Sequence, residues 1–364
     1  MILIAGGIIL ALGLLLVLKV FDVYKTIYTP KPDGAVTTPA PEKTTYSVLL
    51  LGYAGGTHQG TYLTDTMMLI TVDLKKKEAL LISIPRDIWV KIPTKSKGGF
   101  HSKINAVYQM ELFSNNYPDL APTFLGTQKD AALVKHVVSE VTGVPVDYYV
   151  AIDFDGFVNV IDILGGVDVQ VERTFDDYEY PIEGKENDNC DKKDEELIEA
   201  EKQATQEPRL AFPCRYEKIH FDAGPTHMDG KTALKYVRSR HSKEDGGDFG
   251  RAQRQQRFLQ SLRSNVLSID FITKILPLLD ELKDDVKTDF PPSLIQKVIS
   301  LVPSSSEYSL NTVILTDKDF LVSSRSADLQ YILVPRRGLD NWSEIKFYIK
   351  SQQERIPTKY QDTN

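Results

Sequence analysis

DYYVAIDFDGFVNVIDILGGVDVQVER, residues 147–173, is the stretch from which the fold class of this chain follows. The β-branched and aromatic run 147–154 predicts a strand, and residues 155–166 have a helical spacing that ends at two glycines. Residues 167–173 alternate apolar and polar side chains and predict another strand. This order predicts an α/β fold in which helices flank a mixed central β-sheet.

Segments nearer the N-terminus add strands and a helix to this prediction. Residues 47–54 (SVLLLGYA) predict a buried strand, followed by a glycine-rich turn up to Asp65. Residues 66–74 and 78–85 predict a hairpin across three lysines, and Pro85 ends its second strand. Residues 129–142 have helical spacing.

The first 26 residues predict a transmembrane signal anchor. Met1 to Leu18 carry no charge and would span roughly 27 Å as a helix, close to the ~30 Å hydrocarbon thickness of a bilayer. No cleavage signal follows, which favours an uncleaved anchor over a signal peptide, with a buried core helix as the alternative. The lysines after the span would by themselves place the rest of the chain on the cytoplasmic side.

The remaining residues divide by composition. Residues 27–45 predict a Pro/Thr-rich linker, 46–352 a single folded domain, and 353–364 a polar tail. Within the domain, residues 183–210 predict an acidic, solvated insertion, much of which lies between Cys190 and Cys214. These cysteines could form a bridge worth about 3 kcal/mol, or remain two free thiols.

Composition and absent motifs exclude several classes of function. A formal net charge of −7 provides no long-range positive field for a nucleic acid. The glycine-rich turn lacks the Gly-Lys-Ser/Thr ending of a Walker loop. The chain contains no Gly-x-Ser-x-Gly, His-Glu-x-x-His or Cys-x-x-Cys pattern, which argues against a serine hydrolase, a zincin and a redox enzyme.

Arginine is concentrated in residues 236–257, YVRSRHSKEDGGDFGRAQRQQR. Such clustering in an acidic chain indicates a local phosphate grip, with a solvated, salt-bridged helix face as the alternative. Arg238 and Arg240 would point to one side if the chain is extended there, and would diverge in a continuing helix.

A helix is predicted to begin near Asp248. Its first turns place cationic and polar side chains on one side, and an apolar stripe continues from them. The polar residues are Arg251, Arg254 and Gln255, and the apolar ones include Phe258 and Leu262. This order would match a ligand that has a phosphate head and a hydrocarbon tail. The alternative is a core helix whose first turn is exposed.

Two further residues stand at strand ends. Arg86 follows a predicted buried strand, where charges of mixed sheets commonly line the binding crevice, although an Arg86–Asp87 surface pair is the alternative. Asp65 precedes a strand and has no basic neighbour in sequence. It is a candidate magnesium ligand, or simply a turn residue.

With these residues in view, the chain resembles the LytR-CpsA-Psr family of cell-envelope glycopolymer ligases from about Tyr46 to Lys350. The resemblance lies in an ordered set of short motifs: LLLG, TDTMMLITVD, LLISIPRDIWVKIP, KINAVY, VDYYVAIDFDGFVNVIDILGGVDV, DGKTALKYVRSRH, DFGRAQRQQRFL, VKTDF and LVPRRG. It implies a single-pass membrane protein whose catalytic domain is extracytoplasmic.

The implied activity is a phosphotransfer assisted by Mg²⁺ or Mn²⁺. A glycan phosphate would move from a polyprenyl-pyrophosphate carrier to a peptidoglycan hydroxyl, without nucleic acid as a partner. By motif, the implied pyrophosphate contacts are Arg86, Arg238, Arg240, Arg251 and Gln255. Asp248 would be a catalytic or arginine-orienting carboxylate, Lys103 a further contact and Asp65 a metal ligand.

The chain departs from the family pattern at two places. Gly52-Tyr53-Ala54 lacks the aspartate of the usual Gly-x-Asp, and Leu63-Thr64-Asp65 replaces the usual Arg-Ser-Asp. His58 could serve as a substitute ligand, which suits Mn²⁺ better than Mg²⁺. The alternatives are a lipid-pyrophosphate hydrolase that uses the same groups, a transcription regulator, and a non-catalytic glycan-binding or regulatory membrane protein.

Overall fold

A six-stranded mixed sheet forms the centre of the computed structural model, which describes residues 43–56, 60–96, 98–125, 130–204, 207–266, 285–291 and 307–354. The strands, in chain order, are β1 Thr45–Tyr53, β2 Thr64–Asp73, β3 Glu78–Ser83, β4 Trp89–Ile92, β5 Phe100–Lys103, β6 Tyr148–Ile152, β7 Val167–Val171, β8 Phe175–Pro181, β9 Tyr216–Phe221, β10 Gly224–Met228, β11 Val286–Thr288, β12 Ser309–Ile314, β13 Leu321–Arg325 and β14 Tyr331–Pro335. The α-helices are α1 Val107–Leu112, α2 Ala132–Thr142, α3 Phe154–Ile163, α4 Asp194–Ala204, α5 Pro208–Ala211, α6 Gly230–Arg238, α7 Gly247–Val266 and α8 Ser343–Glu354.

The central sheet has the strand order β11-β6-β1-β2-β3-β12. β1 pairs antiparallel with β2 and parallel with β6, while β12 runs parallel to β3. Met67, Met68 and Leu69 follow one another in β2 and are all buried, so both faces of the sheet are covered. The predicted fold class, α/β with a mixed central sheet and flanking helices, is confirmed.

The chain forms two compact units. The sheet unit comprises Met1–Leu164 and Val266–Asn364 and contains the central sheet. The arginine unit comprises Gly165–Asn265 and contains the two-stranded sheets β7–β10 and β8–β9. The single domain predicted over 46–352 is not tested by this division and stays a prediction.

Residues 147–173 form the predicted strand, helix and strand, but the second strand does not extend the central sheet. Asp153 caps α3 by accepting a hydrogen bond from the Gly156 amide, and the two glycines after α3 have positive φ angles. β7 then pairs with β10 in the arginine unit. Its alternating burial leaves one face exposed, a pattern that identifies a strand without naming its partner.

The acidic insertion contains more structure than a solvated excursion. α4 lies within it and α5 begins within it, and Ala200 forms a small buried cluster with Ala211 and Phe212 just beyond its end. Cys190 and Cys214 form a disulfide, which decides between the two states left open by the sequence.

Several predictions fall on residues outside the described ranges. These are the anchor over 1–26, nearly all of the linker over 27–45, and residues 355–364 of the polar tail. Within the described part of the chain, no helix combines the length and the hydropathy needed to cross a bilayer.

Candidate functional site

In the sheet unit, Arg86 contacts a carboxylate on a neighbouring strand. Arg86 follows β3, and Asp65 is the second residue of β2, with 2.5 Å between Arg86 Nη1 and Asp65 Oδ1. Both side chains keep partial exposure, 23% for Arg86 and 38% for Asp65. Asp65 therefore has a basic neighbour in space, although it has none in sequence.

A second carboxylate holds Arg86 and Lys103 together. Asp87 is 8% exposed and accepts a hydrogen bond from Lys103 Nζ at 2.6 Å, while its other oxygen lies 3.6 Å from Arg86 Nε. The Asn105 amide donates to the Arg86 carbonyl at 3.3 Å and fixes the backbone. Two cations are thus oriented by two carboxylates. We call these four residues, Asp65, Arg86, Asp87 and Lys103, the Arg86 cluster.

The strand pairing places a further carboxylate at the same edge of the sheet. At the carboxyl end of β1, Gly52 is paired with Thr66 on one side and Ile152 on the other. Asp65 directly precedes Thr66 in sequence, and Asp153 directly follows Ile152. Burial raises the pKa of Asp153 to about 6; the Gly156 amide acts against this effect, and the charge of Asp285 adds to it. Asp153, which none of the sequence motifs singles out, is thus a candidate site residue.

The described residues offer a divalent cation few protein ligands. The only described group of three His, Cys, Asp or Glu ligand atoms lying mutually close is Asp188, Cys190 and Cys214, and its two sulfurs are in the disulfide. Asp65 contributes one carboxylate. One or two carboxylates are what Mg²⁺ uses when substrate phosphates supply other ligands. His58 lies outside the described residues.

In the arginine unit, the chain leaves the helix between the two arginines of the Arg-Ser-Arg motif. α6 ends at Arg238, and Ser239 has φ −52° and ψ 134°. Arg238 Nη1 donates to the Tyr180 hydroxyl at 3.2 Å, whereas Arg240 Nε donates to His241 Nε2 at 2.8 Å. The two guanidiniums therefore have different partners, and the extended alternative describes the backbone after Arg238.

A buried aspartate on β8 organises this segment. Asp177 is 1% exposed, and its Oδ2 accepts hydrogen bonds from the Ser239 hydroxyl at 2.7 Å and from the Arg240 and His241 amides at 3.0 Å each. Its Oδ1 accepts from the Glu179 amide at 2.9 Å. Burial acts to raise the pKa of Asp177, but these hydrogen bonds outweigh it and hold the pKa below its usual value.

Glycines shape the loop between α6 and α7. A Cβ atom at Gly246 would stand 2.1 Å from the Ser242 carbonyl oxygen, and one at Gly250 would stand 1.6 Å from the Asp245 carbonyl oxygen. Both approaches exclude any side chain. The tight Gly-Gly-Asp-Phe-Gly turn therefore allows α7 to begin at Gly247, next to the predicted Asp248.

The first turns of α7 are tied back to the α6 end. Arg251 Nη2 contacts Asp248 Oδ1 at 2.8 Å, and Gln255 donates to the Val237 carbonyl at 3.2 Å. Arg254 is 1% exposed, contacts Asp245 Oδ1 at 2.7 Å, donates to the Ser239 carbonyl and lies 4.8 Å over the Phe175 ring. Arg254 thus holds the loop from inside; whether it also contacts a substrate stays a prediction.

The apolar stripe of α7 is divided by burial. Phe258 is 1% exposed, whereas Leu262 is half-buried. Its predicted contact with a hydrocarbon chain therefore rests on Leu262 more than on Phe258.

Within each unit, the structure brings predicted site residues together. Asp65, Arg86 and Lys103 meet in the sheet unit, and Arg238, Arg240, Asp248, Arg251, Arg254 and Gln255 belong to one loop and its flanking helices in the arginine unit. Sequence reasoning missed Asp153, Asp177, Glu179 and His241. A usable signal existed for Asp177, because an acidic residue occupies a position between Phe175 and Tyr180 at which the alternation of β8 predicts burial.

An α/β fold that carries arginine–carboxylate clusters on loops defines a candidate phosphate-binding protein. Comparison with known proteins is more specific. The family model of the LytR_cpsA_psr family matches residues 17–344, and the chain belongs to this family. The resemblance seen in the sequence motifs is confirmed.

Curated relatives are about one-quarter identical to this chain over the residues that align. The polyisoprenyl-teichoic acid–peptidoglycan teichoic acid transferase TagV of Bacillus subtilis is 28% identical over 251 residues, 68% of this chain and 50% of the relative. Biofilm regulatory protein A of Streptococcus mutans is 26% identical over 67% of this chain and 50% of the relative. The corresponding transferase TagU of Oceanobacillus iheyensis is 26% identical over 81% of this chain and 79% of the relative. This chain thus spans about half the length of the first two.

Solved structures agree with the fold. Crystalline TagV of B. subtilis superposes with a TM-score of 0.56 at 25% identity, covering 87% of this chain and all of that one. TagT bound to LIIa-WTA superposes with a TM-score of 0.53 at 23% identity, covering 88% and 93%. The second similarity concerns the fold alone.

Proposed function

We propose that this protein moves a glycan phosphate from a polyprenyl-pyrophosphate carrier to a hydroxyl of peptidoglycan. Membership of the LytR_cpsA_psr family and the transferase names of its relatives support this proposal. The observation that supports assigning this activity to particular residues is the arginine segment 238–240, whose backbone is fixed by the buried Asp177. Preorganised cations of this kind stabilise charge on phosphoryl oxygens.

In the proposed reaction, the acceptor hydroxyl oxygen attacks the phosphorus that carries the glycan. The bridging P–O bond of the pyrophosphate breaks, its electron pair leaves with polyprenyl phosphate, and the hydroxyl proton passes to a base. The product is a phosphodiester. No nucleotide is required, because the pyrophosphate bond already carries the driving force.

Each cation has a proposed task in this reaction. Arg86, Arg238, Arg240 and Arg251 bind phosphate oxygens and meet the charge that develops on them. Asp248 orients Arg251, as their 2.8 Å contact supports. Lys103, Gln255 and Arg254 are proposed as weaker contacts to the substrate or its binding loop, and Leu262 with Phe258 as contacts to the polyprenyl chain.

We also propose Mg²⁺ or Mn²⁺ as the assisting cation. Asp65 would hold it together with substrate phosphate oxygens, and the cation would supply positive charge at the reacting phosphate. A single carboxylate ligand fits such a shared site better than a cage built by protein alone. Asp65 would then divide its charge between the cation and Arg86.

The location that we propose is the outer face of the cell membrane, with residues 1–26 as a single-pass anchor. The Cys190–Cys214 disulfide supports an extracytoplasmic domain, because such bonds persist in oxidising compartments. It outweighs the lysines after the anchor, which favour the opposite orientation.

The test uses the full-length protein, a polyprenyl-pyrophosphate-linked glycan and peptidoglycan. Arg86→Ala and Arg240→Ala are each expected to lower the transfer rate by about 100-fold or more, the typical loss when one donor to a developing oxyanion is removed. Arg325→Ala in the sheet unit and Arg209→Ala in the acidic insertion are matched controls and should keep the wild-type rate.

Two results would decide against the proposal. Wild-type rates in the Arg86 or Arg240 variant would remove that residue from phosphate binding. Free glycan phosphate in place of a phosphodiester would identify a lipid-pyrophosphate hydrolase, and absence of any turnover would leave a glycan-binding or regulatory protein. Unchanged circular dichroism of both variants keeps the comparison interpretable.

A further inference from the structure

His241 bridges Arg240 and a carboxylate on β8. Its Nε2 lies 2.8 Å from Arg240 Nε, and its Nδ1 lies 2.5 Å from Glu179 Oε2. The backbone amide of His241 donates a hydrogen bond to Asp177, so the ring projects from a backbone position that is held in place. The side chains of His241 and Glu179 are about one-third exposed.

The chemistry of these atoms determines the state of the ring. Arginine Nε carries a hydrogen and cannot accept one, so Nε2 of His241 must be the acceptor. Nδ1 then carries the ring hydrogen and donates it to Glu179. The contact therefore requires a neutral imidazole in one tautomer, because a second hydrogen on Nε2 would face the Nε–H of Arg240.

The other edge of this guanidinium is available. Among the described residues, the two terminal nitrogens of Arg240 have no hydrogen-bond partner, whereas Arg238, Arg251 and Arg254 all use theirs on Tyr180, Asp248 and Asp245. Fixing Nε aims the terminal edge, which is the edge that binds phosphate bidentately.

We propose that His241 is the positioning residue of Arg240, itself held by Glu179, and that a proton on its ring releases Arg240 and weakens substrate binding. The second half rests on the proposed function, since it takes Arg240 as a phosphate ligand. The charged groups that the structure places against His241 are Arg240 on its own segment, and Glu179 and Asp177 on β8.

Three variants of the full-length protein separate positioning from simple structural support. His241→Gln can place an oxygen near the position of Nε2, where it accepts from Arg240 but takes up no proton. His241→Leu keeps bulk and removes the acceptor. His220→Gln is the matched control, because His220 is paired with a carboxylate, Asp176, on the neighbouring strand and contacts no arginine in the part of the chain that the structure describes.

The first measurement needs no substrate. With ¹⁵N-arginine, the Nε–H signal of Arg240, assigned by its loss in Arg240→Lys, should shift between pH 8 and pH 5, the range in which histidines gain a proton. The shift should persist in His220→Gln and disappear in His241→Gln. An Arg240 signal that does not shift with pH, or that still shifts in His241→Gln, would overturn the proposal that His241 positions Arg240.

The second measurement is the pH profile of transfer. His241→Leu should lower kcat/KM by about tenfold at pH 8, a fall typical of losing one hydrogen bond to a charged group. His241→Gln should restore most of that loss and flatten the decline toward pH 5. Equal loss in both variants refutes positioning. If the wild type transfers nothing while the Arg240 signal follows His241, the proposed function fails and the His241–Arg240 contact stands.

Discussion

Replacement of Asp177 by Asn should loosen the arginine segment while leaving every guanidinium in the chain. The carboxylate accepts four hydrogen bonds, three of them from Ser239, Arg240 and His241. Asn keeps the volume but replaces one acceptor oxygen by an NH₂ group. If its oxygen faces the arginine segment, the NH₂ group meets the Glu179 amide, and two donors then face each other.

The magnitude follows from this exchange. A buried amide left without an acceptor costs about 1–3 kcal/mol, and three bonds that lose their charged acceptor become weaker by roughly 0.5–1 kcal/mol each. Because such contributions are not additive, we expect Asp177→Asn to lower the free energy of local opening of the segment by about 3 kcal/mol. That is roughly a 100-fold loss of amide protection.

The pH dependence has a definite sign. The folded state holds the pKa of Asp177 below its usual value, and the carboxyl of an unfolded chain titrates near 3.9. The carboxylate therefore contributes its full stability above about pH 4 and loses it as the pH falls through the folded pKa. The difference between wild type and Asp177→Asn should shrink below pH 4.

Hydrogen exchange of a peptide covering residues 238–244 measures this effect directly, since two of its amides donate to Asp177. Asp176→Asn is the matched control. Asp176 is adjacent in sequence, is 30% exposed and binds His220 and Lys218. It should leave the protection of 238–244 unchanged. Equal protection in wild type and Asp177→Asn would refute the argument that the buried carboxylate holds the segment.

Two other perturbations test the disulfide and the raised pKa. Joint replacement of Cys190 and Cys214 by Ser should remove about 3 kcal/mol of loop closure and speed proteolysis between them, without changing protection of 238–244; unchanged proteolysis would contradict this. Asp153→Asn keeps the cap acceptor of α3 but cannot ionise. Because the folded pKa of Asp153 is raised to about 6, the wild type should lose stability as the pH rises from 4 to 6. The variant should therefore have the higher urea midpoint at pH 8 and the same midpoint as the wild type near pH 4. A difference in midpoint that stays constant with pH would contradict this.

Local patterns predicted most elements of the central sheet. β1, β2 and β3 occupy the predicted runs within about two residues, and α2 ends at Thr142, the last residue of the predicted 129–142 run. These predictions succeeded because hydrophobic period and turn residues are properties of neighbouring positions. The partner of β7 is not such a property: the alternating pattern predicts the strand, but its pairing with β10, outside the central sheet, depends on residues far away in sequence.

The candidate site shows the same limit. The motifs named the arginines, but their partners lie far away in sequence: Asp65 is 21 positions from Arg86, and Asp177 is 62 positions from Ser239. Nothing local marks Asp65 as the partner of a cation. The acidic residue within the alternating pattern of β8 was a usable sign of burial, and it was not read as one.

The partners found in the structure separate two tasks that the motifs present as one. Asp177, Arg254 and the close glycine contacts at Gly246 and Gly250 hold backbone, because their bonds and approaches end on main-chain atoms or on other loop residues. Arg240, which His241 holds through Nε, keeps terminal nitrogens that have no hydrogen-bond partner among the described residues. Changes in the first group should therefore alter amide protection before they alter catalysis. Changes in the second should alter kinetics at unchanged protection, so the two measurements together assign each residue of the loop to one task.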